Sequence, residues 1–261
     1  MEEVDSLRIV VKVGTTTLAH STGNLNIRRV TDLCRVLSDL KNAGHDVILV
    51  SSGAIGMGVG KLALADKPDD IPGKQACAAI GQCELMYIYD KLFGEYNHVV
   101  AQILITGDDV QNEVRYENFS NTIHRLLEMG ALPIINENDT ISVEEIQIGD
   151  NDTLGAIVAK TVGADQLIIL TDTDGLYTAD PRVDPNASLI REVAAITPEL
   201  MDLGGGSGTK QGTGGMSTKL SAAKIATEAG VETVIINGQR PEAIYAIAEG
   251  SDYTGTRFLA Q

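Results

Sequence analysis

Apolar positions in this chain follow two alternating rhythms. Short runs such as Leu7–Val13 are apolar at nearly every position, which predicts strands buried on both faces. Between them, residues such as Val30, Leu33, Leu37 and Leu40 recur at helical spacing before Gly44 ends the pattern. The runs VILVSSG, VVAQILI, ALPIINEND, LIILTDTDG and TVIING repeat the strand form, each ending in small or polar residues. Helical patterning predicts segments at about 73–93, 109–129, 152–162, 217–230 and 241–249. Strands alternating with helices predict an α/β fold with a mainly parallel sheet covered on both faces. Ligands in such folds gather at the C-terminal ends of the strands.

Two intervals break this rhythm. In TISVEEIQIG, Ile141 and Val143 alternate on one side of Glu144 and Glu145, and Ile146 and Ile148 on the other, as in a small hairpin. It reads either as a substrate lid or as edge decoration. Between Gly204 and Gly215 lie seven glycines, read either as a surface linker or as a mobile loop that closes on a nucleotide. No internal repeat and no dividing linker is visible, so residues 1–261 read as one domain.

Composition narrows the function. Hydrophobic residues make up 43% of the 261 positions, and 36 acids against 20 Lys and Arg give a formal charge of -16. That field argues against a general nucleic-acid or anionic-membrane partner, although lysines and a divalent cation can reverse its sign inside one cleft. The acidic, short-run N-terminus resembles neither a secretory signal nor a membrane span, and a cytoplasmic protein is expected. Cys34, Cys77 and Cys83 have no metal or redox spacing and read as thiols within helices, and the four histidines suggest no metal site.

Within this frame, two lysines stand out. Lys12 lies at the exit of the first strand, before Gly14 and three threonines. Lys219 follows Gly214 and Gly215 in TGGMSTK and opens a helix, so backbone N–H groups and an ammonium converge on one anion. Two such cations suggest a phosphoryl-transfer centre assembled by the whole fold. In SSGAIGMGVG, serines and glycines permit close backbone approach to a ligand. Neither a dinucleotide fingerprint nor a Walker P-loop is present in the required order.

Acid and amide clusters occur at NEND and GDND. Asp152 in the second reads either as a helix cap or as a site acid, while Asn136, Asp139 and Asn151 offer oxygens to a cationic amino group. In TDTDGLYTADPR, Thr171 and Asp172 face a nucleotide at the sheet edge, and the tyrosine either packs beside adenine or covers the loop.

Taken in order, VVKVGTTTL, ILVSSGAIGMG, INENDTI, IGDNDTLGAIVA, LTDTDGLYTADPR and GTGGMSTK resemble the amino-acid kinase family over nearly the whole chain. The resemblance implies a three-layer αβα sandwich, with the acyl substrate over a lobe formed mainly by residues 1–160 and ATP over one formed mainly by 161–261. It implies Lys12, Ser52, Asp139 and Asn151 around L-glutamate, with Asn136 as a further ligand. It places Thr171, Asp172, Thr213, Gly214, Gly215, Met216, Ser217, Thr218 and Lys219 against ATP, and makes Asp152 the acid that orients Lys12 and Lys219.

The implied reaction phosphorylates the γ-carboxylate of L-glutamate with ATP and Mg2+, the cation being held mainly by ATP phosphates. It is the first step of proline biosynthesis. Feedback by proline, a homodimer or homotetramer, and functional coupling to glutamate-5-semialdehyde dehydrogenase are further implications. The resemblance is to a short form, for which no C-terminal PUA domain of the kind carried by longer relatives is expected. Acetylglutamate, aspartate or a nucleoside monophosphate are alternative acceptors within the family, and a non-catalytic nucleotide sensor is the alternative class.

Overall fold

The computed structural model describes residues 6–20, 24–141, 150–205 and 215–261. The expected hairpin at TISVEEIQIG falls almost wholly outside these residues. So do positions 206–214 of the glycine-rich segment, including Thr213 and Gly214.

In chain order the elements are β1 (Arg8–Val13), α1 (Thr15–Leu18), α2 (Ile27–Asn42), β2 (Asp46–Ser51), α3 (Ala54–Lys61), α4 (Ile71–Gly94), β3 (Val100–Ile105), α5 (Gly107–Gln111), α6 (Glu113–Glu128) and β4 (Leu132–Glu137). There follow α7 (Asn151–Val162), β5 (Gln166–Thr171), β6 (Glu192–Val193), α8 (Pro198–Leu203), α9 (Met216–Thr227), β7 (Glu232–Asn237), α10 (Ala243–Ala248) and β8 (Thr256–Phe258). The sheet order is β3-β4-β2-β1-β5-β7-β8-β6. From β3 through β7 every neighbour is parallel, and β8 turns the edge by pairing antiparallel to β7.

Strand pleating sorts β1 into two cores. Ile9, Val11 and Val13 pack with Leu33 and Leu37 of α2, Tyr89 and Phe93 of α4, and Ile244 of α10. Val10 packs on the opposite face with residues of α6, α7 and α9. The sheet is therefore the middle of three layers. Lys12 shares the parity of Val10, which directs its side chain toward α7 and α9. Gly155 of α7 makes room for it, since a Cβ there would stand 3.3 Å from Lys12 Cβ.

Three expectations change in the structure. The helix expected at 109–129 is two helices, because Asn112 adopts an extended ψ of 114° and caps α6 through Arg115 N–H. Thr106 and Asp109 close a reciprocal capping box on the short α5. The glycines of SSGAIGMGVG lie mainly in a helix, α3. A Cβ on Gly58 would lie 1.9 Å from the Cys77 carbonyl oxygen, and one on Gly81 would lie 1.7 Å from that of Ala54. These two glycines let α3 and α4 touch backbone to backbone, so Gly58, where ligand approach had been expected, serves helix packing. The short strands β6 and β8 were not anticipated, being too brief to show periodicity.

Candidate active site

The parallel strands deliver their ends to one edge of the sheet. Beyond β2, Ser52 N–H donates to the Val13 carbonyl at 3.0 Å, tying the exits of β1 and β2 together. Gly53 then takes a left-handed φ of 104° to start α3, a conformation that favours glycine.

At the centre of the edge, Asp152 Oδ1 lies 2.6 Å from Lys12 Nζ, and Oδ2 lies 3.1 Å from Lys219 Nζ. Thr218 Oγ1 donates to the same Oδ2 at 2.8 Å. Lys12, Asp152 and Lys219 are only 5%, 1% and 4% exposed, so this is a buried ionic triad. Within the triad itself, two ammonium groups against one carboxylate leave a positive surplus, with Asp150 also acting on Lys12. Such a surplus receives an anion.

The cap of α7 is Asp150, which accepts from Thr153 N–H at 2.9 Å. That leaves Asp152, in the first turn, to face the lysines. Burial pushes the Asp152 carboxyl up, but the charges of Lys12 and Lys219 and the hydrogen bonds from Lys12 and Thr218 outweigh it and hold the group below its usual range. Burial likewise lowers the Lys12 ammonium, and Asp152 only partly restores it.

Beside the triad lies a polar triangle. Asn151 Nδ2 donates to Ser52 Oγ and to Asn136 Oδ1, each at 2.8 Å. Asn136 comes from β4, Ser52 from the β2 exit and Asn151 from the start of α7, so three elements converge on one amide. Asp139 follows β4, half-buried. Burial first, and then the charge of Glu137, raise its carboxyl to about 6, against an opposing effect of Lys67.

On the other half of the edge, Thr171 ends β5, and its hydroxyl donates to the exposed Asp172 carboxylate at 3.2 Å. The Thr171 carbonyl accepts from Gly238 N–H at 2.8 Å. Asp174 accepts from Asn237 Nδ2 and Arg240 Nη2, each at 2.9 Å, which holds the loop after β5 to the turn after β7. Gly215, Met216 and Ser217 begin α9 beside Thr218. Tyr177, whose role the spacing left open, forms an isolated backbone bridge with Leu189 in its own loop.

Sequence reasoning passed over two groups here, Asp150 and Gln82, and left the Asp152 contact of Thr218 unseen. Asp150 was hidden by its neighbour in GDND. The Thr218 side chain, expected on nucleotide, is directed at Asp152, and Gln82 joins the amide triangle by accepting from Asn136 Nδ2 at 2.9 Å. A lone amide in the apolar run AAIGQCELM was the visible signal for the last.

No described helix is long and apolar enough to cross a membrane. Among the described residues, no group of three or more His, Cys, Asp or Glu is arranged to hold a metal ion.

The chain and its fold have counterparts among known proteins. The family profile described as Amino acid kinase family matches residues 7–237. A glutamate 5-kinase from Clostridium perfringens is 54% identical over 261 residues, covering 98% of this chain and 97% of that protein. A glutamate 5-kinase from Caldanaerobacter subterraneus is 53% identical over 253 residues, covering 97% of this chain but 68% of that longer protein. Among solved structures, carbamate kinase from Giardia lamblia bound to AMP-PNP superposes with a TM-score of 0.69 at 18% identity, covering 98% of this chain and 99% of that one. UMP kinase from Ureaplasma parvum gives 0.66 at 16% identity, covering 97% and 99%. These two structures share the fold alone. By the family match and by identity along almost its full length, the chain belongs to the amino acid kinase family, in its glutamate 5-kinase branch.

Proposed function

We infer that this chain transfers the γ-phosphoryl group of ATP to the γ-carboxylate of L-glutamate, giving γ-glutamyl phosphate and ADP. The observation that carries the reading is the triad: one buried acid aligning two ammonium groups from distant parts of the chain. Identity above half with proteins named glutamate 5-kinase supports the choice of acceptor.

The chemistry needs little from a base. A glutamate γ-carboxylate, with a reference pKa of about 4.3, is already ionised at neutral pH. The obstacle is repulsion between two anions, together with charge growing on the leaving oxygen. Lys12 would meet the transferring group from the acceptor side and Lys219 from the nucleotide side, while Asp152 keeps both in register. Ser52, Asn136, Asn151 and Asp139 would receive the amino acid. Thr171, Asp172 and the segment Thr213 to Lys219 would receive ATP.

Mg2+ would be held here mainly by the phosphate oxygens of ATP. The deepest acid, Asp152, is already engaged by two ammonium groups, and Asp172 stands exposed at the nucleotide half of the edge. When bound, the cation supplies further neutralisation of phosphate charge. The same reading puts the reaction at the start of proline biosynthesis in the cytoplasm, in a homo-oligomer open to proline feedback and to coupling with glutamate-5-semialdehyde dehydrogenase. It treats the chain as one kinase domain, with residues 1–160 mainly on the acceptor side and 161–261 mainly on the nucleotide side.

ADP release across a panel of acceptors tests the reading. Release that requires L-glutamate, and fails with acetylglutamate, aspartate and UMP, is the expected result. ATP binding without glutamate-dependent release would indicate a nucleotide sensor and overturn it.

Asp139 adds a pH signature. Because its folded pKa is raised to about 6, the carboxylate that would receive the substrate ammonium is present above that pH and is lost below it. The glutamate KM of the wild-type protein should rise as pH falls through about 6, and this limb should be absent from the Asp139→Asn protein. An identical limb in both proteins would remove Asp139 from the substrate site.

A further inference from the structure

The buried face of α4 runs through Ala78, Gln82, Leu85, Tyr89 and Phe93. Its two polar members, two turns apart, both reach strand ends at the candidate site. Tyr89 shares a hydrogen bond with Ser51 Oγ at 2.8 Å, next to Ser52. Gln82, 8% exposed, accepts from Asn136. The backbone contacts of Gly58 and Gly81 hold this helix in register against α3, which starts immediately after Ser52 and Gly53.

The hydrogen bonds around Asn136 leave one consistent orientation for each amide. Glu137 N–H, a backbone donor that cannot be reversed, meets Asn136 Oδ1 at 2.9 Å. Asn136 Nδ2 must then point the other way, toward Gln82, which has to present its oxygen. Asn151 Nδ2 faces three acceptors: Asn136 Oδ1, Ser52 Oγ and, at 3.3 Å, the Ser51 carbonyl. Asn151 Oδ1 is thereby turned to the opposite side of its amide, as an acceptor suited to an ammonium group.

We propose that Gln82 is a positioning residue for the amino-acid acceptor, fixing the amide of Asn136 and through it the oxygen that Asn151 offers to the substrate ammonium. The inference rests on the reading of this site as an amino-acid site. Gln82 does not touch substrate. An apolar residue of the same length would fill the space on α4 but leave Asn136 Nδ2 buried without an acceptor, so that the amide is held only through its oxygen and its grip on Asn151 loosens.

The test compares Gln82→Met, similar in length but without the amide, with Gln82→Glu, which keeps an oxygen toward Asn136. Steady-state KM values for glutamate and for ATP are measured beside thermal unfolding. For Gln82→Met the glutamate KM should rise about tenfold while the ATP KM stays within about twofold. For Gln82→Glu the glutamate KM should stay within about threefold of wild type. An unchanged glutamate KM in folded Gln82→Met, an equal rise in both KM values, or a Gln82→Glu protein as impaired as Gln82→Met would overturn the proposal. If Gln82→Met does not fold, Gln82→Glu decides alone: a tenfold rise in its glutamate KM is the overturning result. Wild-type protein that releases no ADP on glutamate addition would instead defeat the parent reading.

Discussion

Lys12→Ala and Lys219→Ala proteins should fold, bind ATP, and lose at least about two orders of magnitude in turnover at saturating substrates. The fold survives because neither change strands the acid. Without Lys12, Asp152 keeps Lys219 at 3.1 Å and the Thr218 hydroxyl at 2.8 Å. Without Lys219, it keeps Lys12 at 2.6 Å. What disappears in either case is the surplus positive charge, because the triad becomes a neutral pair. A neutral pair offers little to a phosphoryl group whose charge is being redistributed between two anions. ADP release measured beside an ATP titration and an unfolding curve separates these effects. Near-normal turnover by both variants would contradict the assignment.

Asp152→Asn should be the more damaging change. Two buried ammonium groups would then lose the carboxylate that lies between them, and removal of one side of a buried charge arrangement costs about 3–5 kcal/mol. Relief comes if a lysine sheds its proton, which at the same time removes the charge needed for transfer. Both stability and turnover should therefore fall. The pH dependence has a definite sign. The folded Asp152 carboxyl lies below its usual range, so its contribution is present above the ordinary carboxylate pKa of about 4 and is lost as pH falls through the lowered folded value. Urea unfolding of wild type and Asp152→Asn should differ most near neutrality and converge in acid. A variant that loses stability but keeps its turnover would leave Asp152 with a structural role alone.

Much of this was legible in the chain because the relevant signals are local. Near-continuous apolar runs reported doubly covered strands, and pleat parity alone sends Lys12 to the face opposite Val11. The small and polar residues ending each run marked the sheet edge where the site assembles. Other features depend on partners remote in sequence. The split of α5 from α6 turns on the conformation of one residue, Asn112, inside an otherwise helical pattern. Gly58 of α3 carries no sign of whether it approaches a ligand or another helix; that is decided by the Cys77 carbonyl of α4. Asp150 and Asp152 are two residues apart, and only the observed start of α7 shows which one caps. Gln82 looks like an isolated polar residue until Asn136 is brought to it from 54 positions away.

The central claim is that the γ-carboxylate oxygen of glutamate attacks ATP between the two lysines. L-Glutamate labelled with oxygen-18 in the γ-carboxylate, incubated with ATP, Mg2+ and hydroxylamine, tests it directly. Hydroxylamine attacks the acyl carbon of γ-glutamyl phosphate and expels phosphate together with the bridging oxygen. The account predicts γ-glutamyl hydroxamate in step with ADP, and inorganic phosphate carrying one labelled oxygen per turnover. Unlabelled phosphate released with ADP would mean that water is the acceptor, and would contradict it.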